Sequence, residues 1–347
     1  MEAEKTRTAE VMMREMPELK WFKPLVSFAL LFVICFLFYF PVNNPIMIKG
    51  ITSRILGTQS NAEYNELATV LKRASMVNKT VIITTLNEAW AVPGSVMDLF
   101  LESFRIGEGT KVLLNYLLIV AVDHKSFEWC KSIHPHCYSL TTPGVDFASE
   151  KRFMTLDYLK LMWRRIDFLR TVLELGYNFA FTDADVMWLR DPFPHFTDDA
   201  EISIACDYYQ GNPTDRNNKA NGGFNFVKSN LKSIEFYKYW YKSRVQYPNS
   251  HDQSVFEMIK NDKNVITNGL KIRYLDTSYF GGFCQPSKDM NKVCTMHANC
   301  CVGIEKKLHD LRLVLEDWRN FTALPTEKRR LVGSSAIWRA PSECKIW

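Results

Sequence analysis

Two aspartates in the middle of the chain, Asp183 and Asp185, are spaced for cation binding. An apolar stretch at 179–182 leads into them and another at 186–189 follows, which predicts a buried strand ending at the first carboxylate. Unpaired carboxylates in an interior are very costly, so a turn that brings both onto one divalent cation removes the cost. Such a cation can also grip two phosphates. The pattern, closed by a turn at 190–192, therefore predicts a metal site that handles a diphosphate.

A third metal ligand is expected from the segment 294–308, where His297 lies among cysteines. Histidine combined with two carboxylates suits Mn²⁺ as a borderline case. Gly303, followed by Lys306 and Lys307, can place backbone and ammonium groups beside a diphosphate. The alternative is a surface loop held by disulfides, in which the histidine and the lysines have no role.

Two further segments carry polar groups that suit a substrate wall. Asn221 offers an amide, and the adjacent Gly222-Gly223 pair permits close backbone approach. Asp252 and Gln253 open an apolar helical segment and can face a sugar. Each segment also has a purely structural interpretation: a turn entering a strand for the first, and a helix N-cap at Asp252 for the second.

The elements that position these residues follow from the apolar pattern. Apolar runs at 80–87 and 117–123 predict strands, and the spacing at 96–104 predicts a helix between them. Strands that alternate with helices indicate an α/β fold with a parallel sheet covered on both faces. Ligands of such sheets bind beyond the carboxyl ends of the strands, which places Thr85 and Asn87, with Asp123, near a nucleotide.

The clearest predicted helix runs from Thr155, a suitable N-cap, to Gly176, which suits a left-handed position after the last turn. One face of this helix is apolar. Another carries charged residues at spacings of three and four, including Lys160 and Arg164. The spacing alone indicates a solvated charged face, which leaves open whether these two cations contact a ligand.

The N-terminal part of the chain predicts a membrane anchor. The run at 25–40 is apolar on all sides and stops at Pro41, and more basic residues precede it than follow it. The positive-inside rule then leaves the N-terminus in the cytosol and the rest in the lumen. A buried core helix and a cleavable signal peptide are the alternatives, and the absence of a small-residue cleavage pattern disfavours the latter. The predicted organisation comprises a cytosolic tail, a transmembrane signal anchor, a stem and one catalytic domain, at residues 1–20, 21–42, 43–76 and 77–347.

Composition and cysteine usage agree with a lumenal, globular domain. The net charge of +5 is spread over the 347 residues without a basic run, which argues against nucleic-acid binding. Of nine cysteines, Cys35 lies in the predicted anchor, and the remaining even number suggests disulfides, with Cys130 and Cys137 placed to pair locally. A zinc site is the competing interpretation, but no CxxC pair is present. Asn78 and Asn320 each begin a glycosylation sequon.

Five long strings resemble the plant nucleotide-diphospho-sugar transferases, the group that contains glycosyltransferase family seventy-seven. They are LDYLKLMWRRIDFLRTVLELGY at 156–177, FTDADVMWLRDPF at 181–193, NGGFNF at 221–226, HDQSVF at 251–256 and CTMHANCCVG at 294–303. The resemblance implies a GT-A fold, with a Rossmann-like nucleotide-binding half and an acceptor-binding half around a mixed central sheet. It also implies a type II, single-pass Golgi membrane enzyme that transfers a sugar, with pentoses and galactose prominent, onto cell-wall glycans or glycoproteins with retention.

Carried over by position, the resemblance assigns roles to individual residues. Asp183 and Asp185 would hold Mn²⁺, with His297 completing the protein ligands. Lys160 and Arg164 would reach the donor phosphates or sugar. In the same way, Asp252 and Gln253 would lie on the sugar side. Association with itself or with other Golgi transferases is compatible with this assignment.

Two rival functions remain for comparison. A phosphohydrolase of the haloacid-dehalogenase kind also places DxD after a strand. Its motif requires Thr or Val where this chain has Met187, and the motif lies early in its domain. A catalytically inert lumenal protein with the same fold is the second rival. Metal-dependent binding of a nucleotide sugar distinguishes the enzyme from that scaffold.

Overall fold

The computed structural model describes residues 62–140, 142, 144–151, 153–335 and 337–344. The chain divides into a unit Met1–Asn65, of which residues 62–65 are described, and a second unit, Glu66–Trp347. The predicted anchor at 21–42 lies outside the described residues. Among those that are described, no helix is both long and apolar enough to cross a membrane.

The second unit is built on a seven-stranded mixed sheet with the order β3-β2-β1-β4-β7-β6-β8. Its strands are β1 (Thr80–Leu86), β2 (Leu117–Ala121), β3 (Cys137–Ser139), β4 (Asn178–Thr182), β6 (Ile202–Tyr208), β7 (Lys219–Val227) and β8 (Ile272–Tyr274). Strands β3, β2, β1 and β4 run parallel, whereas β7 is antiparallel to both β4 and β6. The predicted α/β fold with a mixed central sheet is therefore confirmed.

A second, three-stranded sheet carries the other half of the site. It has the order β5-β10-β9, from β5 (Val186–Trp188), β9 (Phe280–Gly282) and β10 (Thr295–His297). Strand β10 pairs antiparallel with β5, which follows the two aspartates directly. This pairing brings a segment more than a hundred residues away in sequence against the DxD turn.

Helices cover both faces of the large sheet. They are α1 (62–74), α2 (Glu88–Ala91), α3 (Val96–Ile106), α4 (His124–Ile133), α5 (Leu156–Glu174), α6 (Leu231–Ser243), α7 (Asp252–Ile259), α8 (Lys263–Thr267), α9 (Ile304–Thr322) and α10 (Thr326–Gly333). Short 3₁₀ turns occur at Lys111–Tyr116 and Phe193–His195. In the segment predicted as a stem, Leu67, Leu71 and Ala74 of α1 are buried in the core.

Alternation along the strands divides the core between the two faces. In β1, Ile82 packs with α3 and α9, whereas its neighbours Val81 and Ile83 pack with α5, α6 and α7. Successive strand side chains point to opposite faces, so an uninterrupted β-branched run such as that at 80–86 suits a sheet buried on both sides. The predicted ends of α5 are also confirmed: Thr155 Oγ1 accepts the N–H of Tyr158, and Gly176 has a φ of 81°.

Three disulfides stabilise this unit, and they confirm the predicted use of the cysteines. They join Cys130 to Cys137, Cys284 to Cys300 and Cys301 to Cys344. The other two cysteines of the described chain, Cys206 and Cys294, are buried thiols. Neither thiol belongs to the metal-ligating cluster described below, so the zinc interpretation finds no support in the described residues.

Candidate active site

The two aspartates lie in a tight turn between β4 and β5. The N–H of Val186 donates to the carbonyl of Asp183 at 3.2 Å, which closes the turn. The N–H of Asp183 donates to the carbonyl of Gly223 on the antiparallel strand β7, at 2.7 Å. The turn therefore stands at the carboxyl end of β4, braced from the side by β7.

Strand β10 and helix α9 bring two basic side chains to Asp185. His297, at the end of β10, pairs in register with Val186, and its Nε2 lies 3.2 Å from Asp185 Oδ1. The Nζ of Lys307, in the first turn of α9, lies 2.5 Å from Asp185 Oδ2. The aspartate side chain itself is almost fully buried. The expectation that His297 joins the two aspartates is met by this geometry.

The ligand atoms of Asp183, Asp185 and His297 all lie within 4.8 Å of one another. Two structural features fit a cation there. Asp185 Oδ1 is buried and accepts no hydrogen bond of good geometry, since its nearest polar neighbour is the His297 Nε2 at 3.2 Å, and a cation could use the oxygen as a ligand. A Cβ built on Gly223 would approach both Asp183 Oδ2 and His297 Cε1 to 2.5 Å, so only glycine leaves the space beside the cluster open. Oxygen and imidazole donors in this combination suit a divalent metal such as Mn²⁺.

Arg165 of α5 links the metal-ligating cluster to a third carboxylate. Its guanidinium donates to Asp183 Oδ1 at 2.8 Å and to Asp252 Oδ2 at 2.6 Å. Arg165 and Asp252 are both buried, with 6% and 1% of their surfaces exposed. A guanidinium is well suited to such a bridge because its N–H groups form a rigid planar fork.

The charges in this cluster shift the pKa values of its members in opposite directions. Burial raises the pKa of Asp183, and the nearby Asp185 adds to the rise against the opposing effect of Arg165. Burial alone would raise the pKa of Asp185 as well, but Lys307 and His297 outweigh it and hold that pKa below its ordinary value. Two neighbouring carboxylates thus compete for the available positive charge, which a bound cation would supply.

A cavity of about 590 Å³ opens over the cluster. Thr85 and Asn87 line it at the carboxyl end of β1, and Arg165 lines it from α5. The cavity therefore lies at the edge where the parallel strands end, as expected for a nucleotide site. Asp123 has a different role: it accepts the backbone N–H groups of Glu88 and Ser126 and caps α4.

Several other predicted site residues meet at the same cavity. Asn221, Asp252, Gln253 and Gly303 are among its walls. Asp252 belongs to the first turn of α7 and His251 is the N-cap, so the N-cap interpretation of Asp252 is wrong. Gly222 donates its N–H to Gln253 Oε1 at 3.0 Å but does not line the cavity. The glycine that the close approach requires is its neighbour, Gly223.

Lys160 and Arg164 do not line the cavity, contrary to the role that the family resemblance implied. Lys160 pairs with Asp157 at 3.1 Å, and Arg164 pairs with Asp167 at 3.5 Å. These pairs form the charged helix face that the spacing indicated. One residue further along α5, about 100° around the helix, Arg165 points inward.

Lys306 requires a similar correction. It is exposed and does not line the cavity, whereas Lys307 does and pairs with Asp185. The amphipathic pattern contains the signal that separates the two. Lys307 lies three residues after Ile304 and four before Leu311, on the buried stripe of α9.

The sequence analysis missed Arg165 and Asp207. Arg165 falls on the apolar stripe of α5, three residues after Met162 and four before Leu169, and a charged residue in that phase is a detectable signal. Asp207, near the end of β6, lines the cavity and accepts hydrogen bonds from side chains of three other segments of the chain. No local pattern marks it.

The arrangement can bind a divalent cation at the carboxyl end of β4 and a phosphorylated ligand next to it. Lys307 adds positive charge on the same side, and Trp90 lies under its ammonium group, 5.6 Å from the ring centroid. Polar side chains of Asn221 and Gln253 also line the cavity. Such a site is equipped to hold a nucleoside diphosphate and to stabilise it as a leaving group.

Comparison with known proteins agrees with this chemistry. A family model described as nucleotide-diphospho-sugar transferase matches residues 112–311. An uncharacterized protein of Arabidopsis thaliana is 50% identical over 292 residues, which cover 84% of this chain and 77% of that protein. The Arabidopsis thaliana UDP-D-xylose:L-fucose alpha-1,3-D-xylosyltransferase 3 is 23% identical over 259 residues, 67% of this chain and 64% of that protein.

Among solved structures, that of mouse xyloside xylosyltransferase 1 in its apo form covers 64% of this chain and 98% of its own, with 13% identity and a TM-score of 0.39. More than half of the chain matches the family model, and the match includes Asp183, Asp185 and His297. The chain therefore belongs to the nucleotide-diphospho-sugar transferase family and is a glycosyltransferase dependent on a nucleotide-diphospho-sugar.

Proposed function

We propose that this enzyme uses Mn²⁺ to transfer a sugar, a pentose or galactose, from a nucleotide-diphosphate sugar to a cell-wall glycan or glycoprotein, with retention of configuration. The observation that carries the proposal is the cluster of Asp183, Asp185 and His297 facing a cavity of about 590 Å³. The buried Asp185 Oδ1, which accepts no well-formed hydrogen bond, and the open space at Gly223 both favour an ion at that point.

In this proposal Asp183, Asp185 and His297 would hold the ion, which would supply positive charge for the departing nucleoside diphosphate. The chain's own groups have separate tasks. Lys307 adds an ammonium group beside Asp185 for the same developing charge. Arg165 fixes the orientation of Asp183 and of Asp252, so that both carboxylates face the cavity without rotating.

The sugar side of the site is assigned to the wall formed by Asp252 and Gln253. Both residues line the cavity, and Gln253 is held by hydrogen bonds at both ends of its amide. A pentose donor gains support from the relative whose name specifies UDP-D-xylose, although that relative shares 23% identity. Retention rests on the family resemblance and is a proposal for this chain.

We further propose that the enzyme is a type II protein of the Golgi membrane, anchored through residues 21–42 with the catalytic unit in the lumen. The three disulfides support an oxidising compartment. The excess of basic residues before the apolar run at 25–40 supports the same lumenal placement of the catalytic unit.

The test is a donor screen on the purified full-length chain with Mn²⁺, following release of nucleoside diphosphate from a panel of nucleotide sugars. Selective, Mn²⁺-dependent release from one donor is expected, with loss to background in Asp185→Ala. The matched control is Asp198→Asn, which removes an aspartate whose side chain is fully exposed.

Two outcomes would count against the proposal. Full activity of Asp185→Ala would remove the metal assignment. Clean folding with neither donor release nor donor binding by calorimetry would favour a protein that keeps the fold without catalysis. Donor binding without release points to a missing acceptor, and the screen is then repeated with a panel of acceptor glycans.

A further inference from the structure

Three amide side chains converge on Asp207, near the end of β6. Its Oδ1 accepts the Nδ2 groups of Asn221 and Asn299, and its Oδ2 accepts the Nε2 group of Gln253, each at 2.8 Å. The donors come from β7, from the segment after β10 and from α7. One carboxylate thus accepts hydrogen bonds from three different segments that line the cavity.

Each amide is also fixed at its other end. The three carbonyl oxygens accept backbone N–H groups: Asn221 from Gly223 at 2.9 Å, Gln253 from Gly222 at 3.0 Å and Asn299 from Cys284 at 3.1 Å. A primary amide has a donating nitrogen and an accepting oxygen that cannot exchange roles. Because Asp207 accepts only, it dictates which end of each amide points to the backbone.

The arm through Asn221 leads directly to the metal ligands. Gly223, whose N–H it fixes, also accepts the N–H of Asp183 through its carbonyl, at 2.7 Å. The same glycine lies against the Asp183 carboxylate and the His297 ring. A rotation of the Asn221 amide would therefore displace the backbone that spaces two of the three ligands.

Asp207 has this role without a cationic partner. Across the described ranges, no arginine, lysine or histidine lies within ion-pair distance of its carboxylate, in contrast to Asp183, Asp185 and Asp252. Its charge is stabilised by hydrogen bonds from neutral amide groups. The interaction is accordingly directional, and it depends on two accepting oxygens at one position.

From this geometry we propose that Asp207 is a positioning residue that sets the orientation of Asn221, Gln253 and Asn299 and thereby holds the metal ligands at binding distance. The inference rests on the metal site of the proposed function. Asp207→Asn is the discriminating change, because it keeps the size of the side chain but puts an NH₂ group against an amide NH₂.

The experiment measures Mn²⁺ binding to the full chain by titration calorimetry, with no nucleotide or sugar present. We expect Asp207→Asn to weaken Mn²⁺ binding by about 10–100-fold, the range seen when groups that orient metal ligands are changed. The matched control is Asp276→Asn. Like Asp207, Asp276 is a partly exposed carboxylate. It accepts the backbone N–H of Ser278 and does not line the cavity.

Thermal unfolding of the metal-free variants separates positioning from folding. A purely structural role would lower Tm while leaving the Mn²⁺ affinity of the folded protein unchanged, and that result would overturn the inference. If Asp207→Asn fails to fold, Asn221→Ala replaces it, because Asn221 links Asp207 to the Gly223 backbone beside the ligands. That variant removes one of three donors, and a smaller loss of Mn²⁺ affinity is expected, whereas an unchanged affinity overturns the inference.

The two proposals fail in different ways. Absence of Mn²⁺ binding in the wild type overturns both this inference and the metal-dependent function. Binding that is equal in wild type and Asp207→Asn overturns the inference alone.

Discussion

At the scale of single residues, the site contains two buried carboxylates, Asp185 and Asp252, that are stable only with partners. Asp252 is 1% exposed, and burial alone would raise its pKa, but Arg165 and His251 together lower the pKa to about 2. The same Arg165 also contacts Asp183. One guanidinium therefore lowers the pKa of Asp252 and opposes, without outweighing, the rise that burial causes at Asp183.

Replacing Arg165 by methionine tests this dependence. Removing one partner of a buried ion pair leaves an uncompensated charge, so we expect the free energy of unfolding to fall by about 3–5 kcal/mol. Urea denaturation at neutral pH provides the measurement. The control is Arg164→Met at the adjacent position, where the lost pair with Asp167 is partly exposed and the expected change is about 0–1 kcal/mol. Equal losses in the two variants would contradict the assignment.

At the scale of elements, Asp310 of α9 and a disulfide hold the end of the C-terminal segment near the start of α9. Asp310 accepts the backbone N–H groups of Ser342, Glu343 and Cys344, and Cys344 is bonded to Cys301 ahead of α9. Cys301 lines the cavity. The C-terminal segment therefore helps to hold the loop that precedes α9, and with it the approach to Lys307.

The hydrogen bonds to the Asp310 carboxylate predict that the free energy of unfolding depends on pH. Burial alone would raise the pKa of Asp310, but backbone N–H groups of Cys344 and Glu343, with His309 and Ser342, outweigh it and lower the pKa. A carboxylate with a lowered folded pKa stabilises the protein fully above its unfolded pKa of about 3.9 and loses that contribution as the pH falls. We expect Asp310→Asn to cost about 1–3 kcal/mol near neutral pH.

The measurement is chemical denaturation of wild type and Asp310→Asn between neutral and acidic pH. The difference in unfolding free energy should stay constant down to about pH 5 and shrink below about pH 4. The exposed Asp198→Asn serves as the control and should show a much smaller difference. A gap that widens in acid would reverse the predicted sign.

At the scale of the whole molecule, the proposed lumenal orientation predicts N-glycosylation of the catalytic unit. Asn78 lies exposed in the turn before β1, and Asn320 is exposed on α9. Both begin sequons, and an acceptor asparagine must be reachable from the solvent in the lumen to be modified. The two sites therefore report on which side of a membrane the catalytic unit resides.

Expression of the full chain in plant cells, followed by endoglycosidase treatment, measures this modification. We expect a loss of mass on gels for the wild type and a smaller loss for Asn78→Gln. Asn268→Gln, at an exposed position outside any sequon, should behave as wild type. A chain without glycans at Asn78 and Asn320 would argue against the lumenal placement.

The sequence by itself determined the features that depend on local pattern. The strand before Asp183, the cap at Thr155, the left-handed Gly176 and the α/β alternation follow from apolar period and residue preference, which act over a few positions. The pairing of Cys130 with Cys137 is local as well. The prediction that Asp183 and Asp185 bind a metal ion also rests on adjacent residues.

The tertiary structure alone decided which side chains meet. Arg165 replaced Lys160 and Arg164, and Lys307 replaced Lys306, because the inward face of a helix is set by the core it packs on. Asp207 became visible only where three distant segments close around it. Contacts of that kind depend on strand order and register, since the pairing of β10 with β5 and of β7 with β4 fixes which residues of remote segments become neighbours.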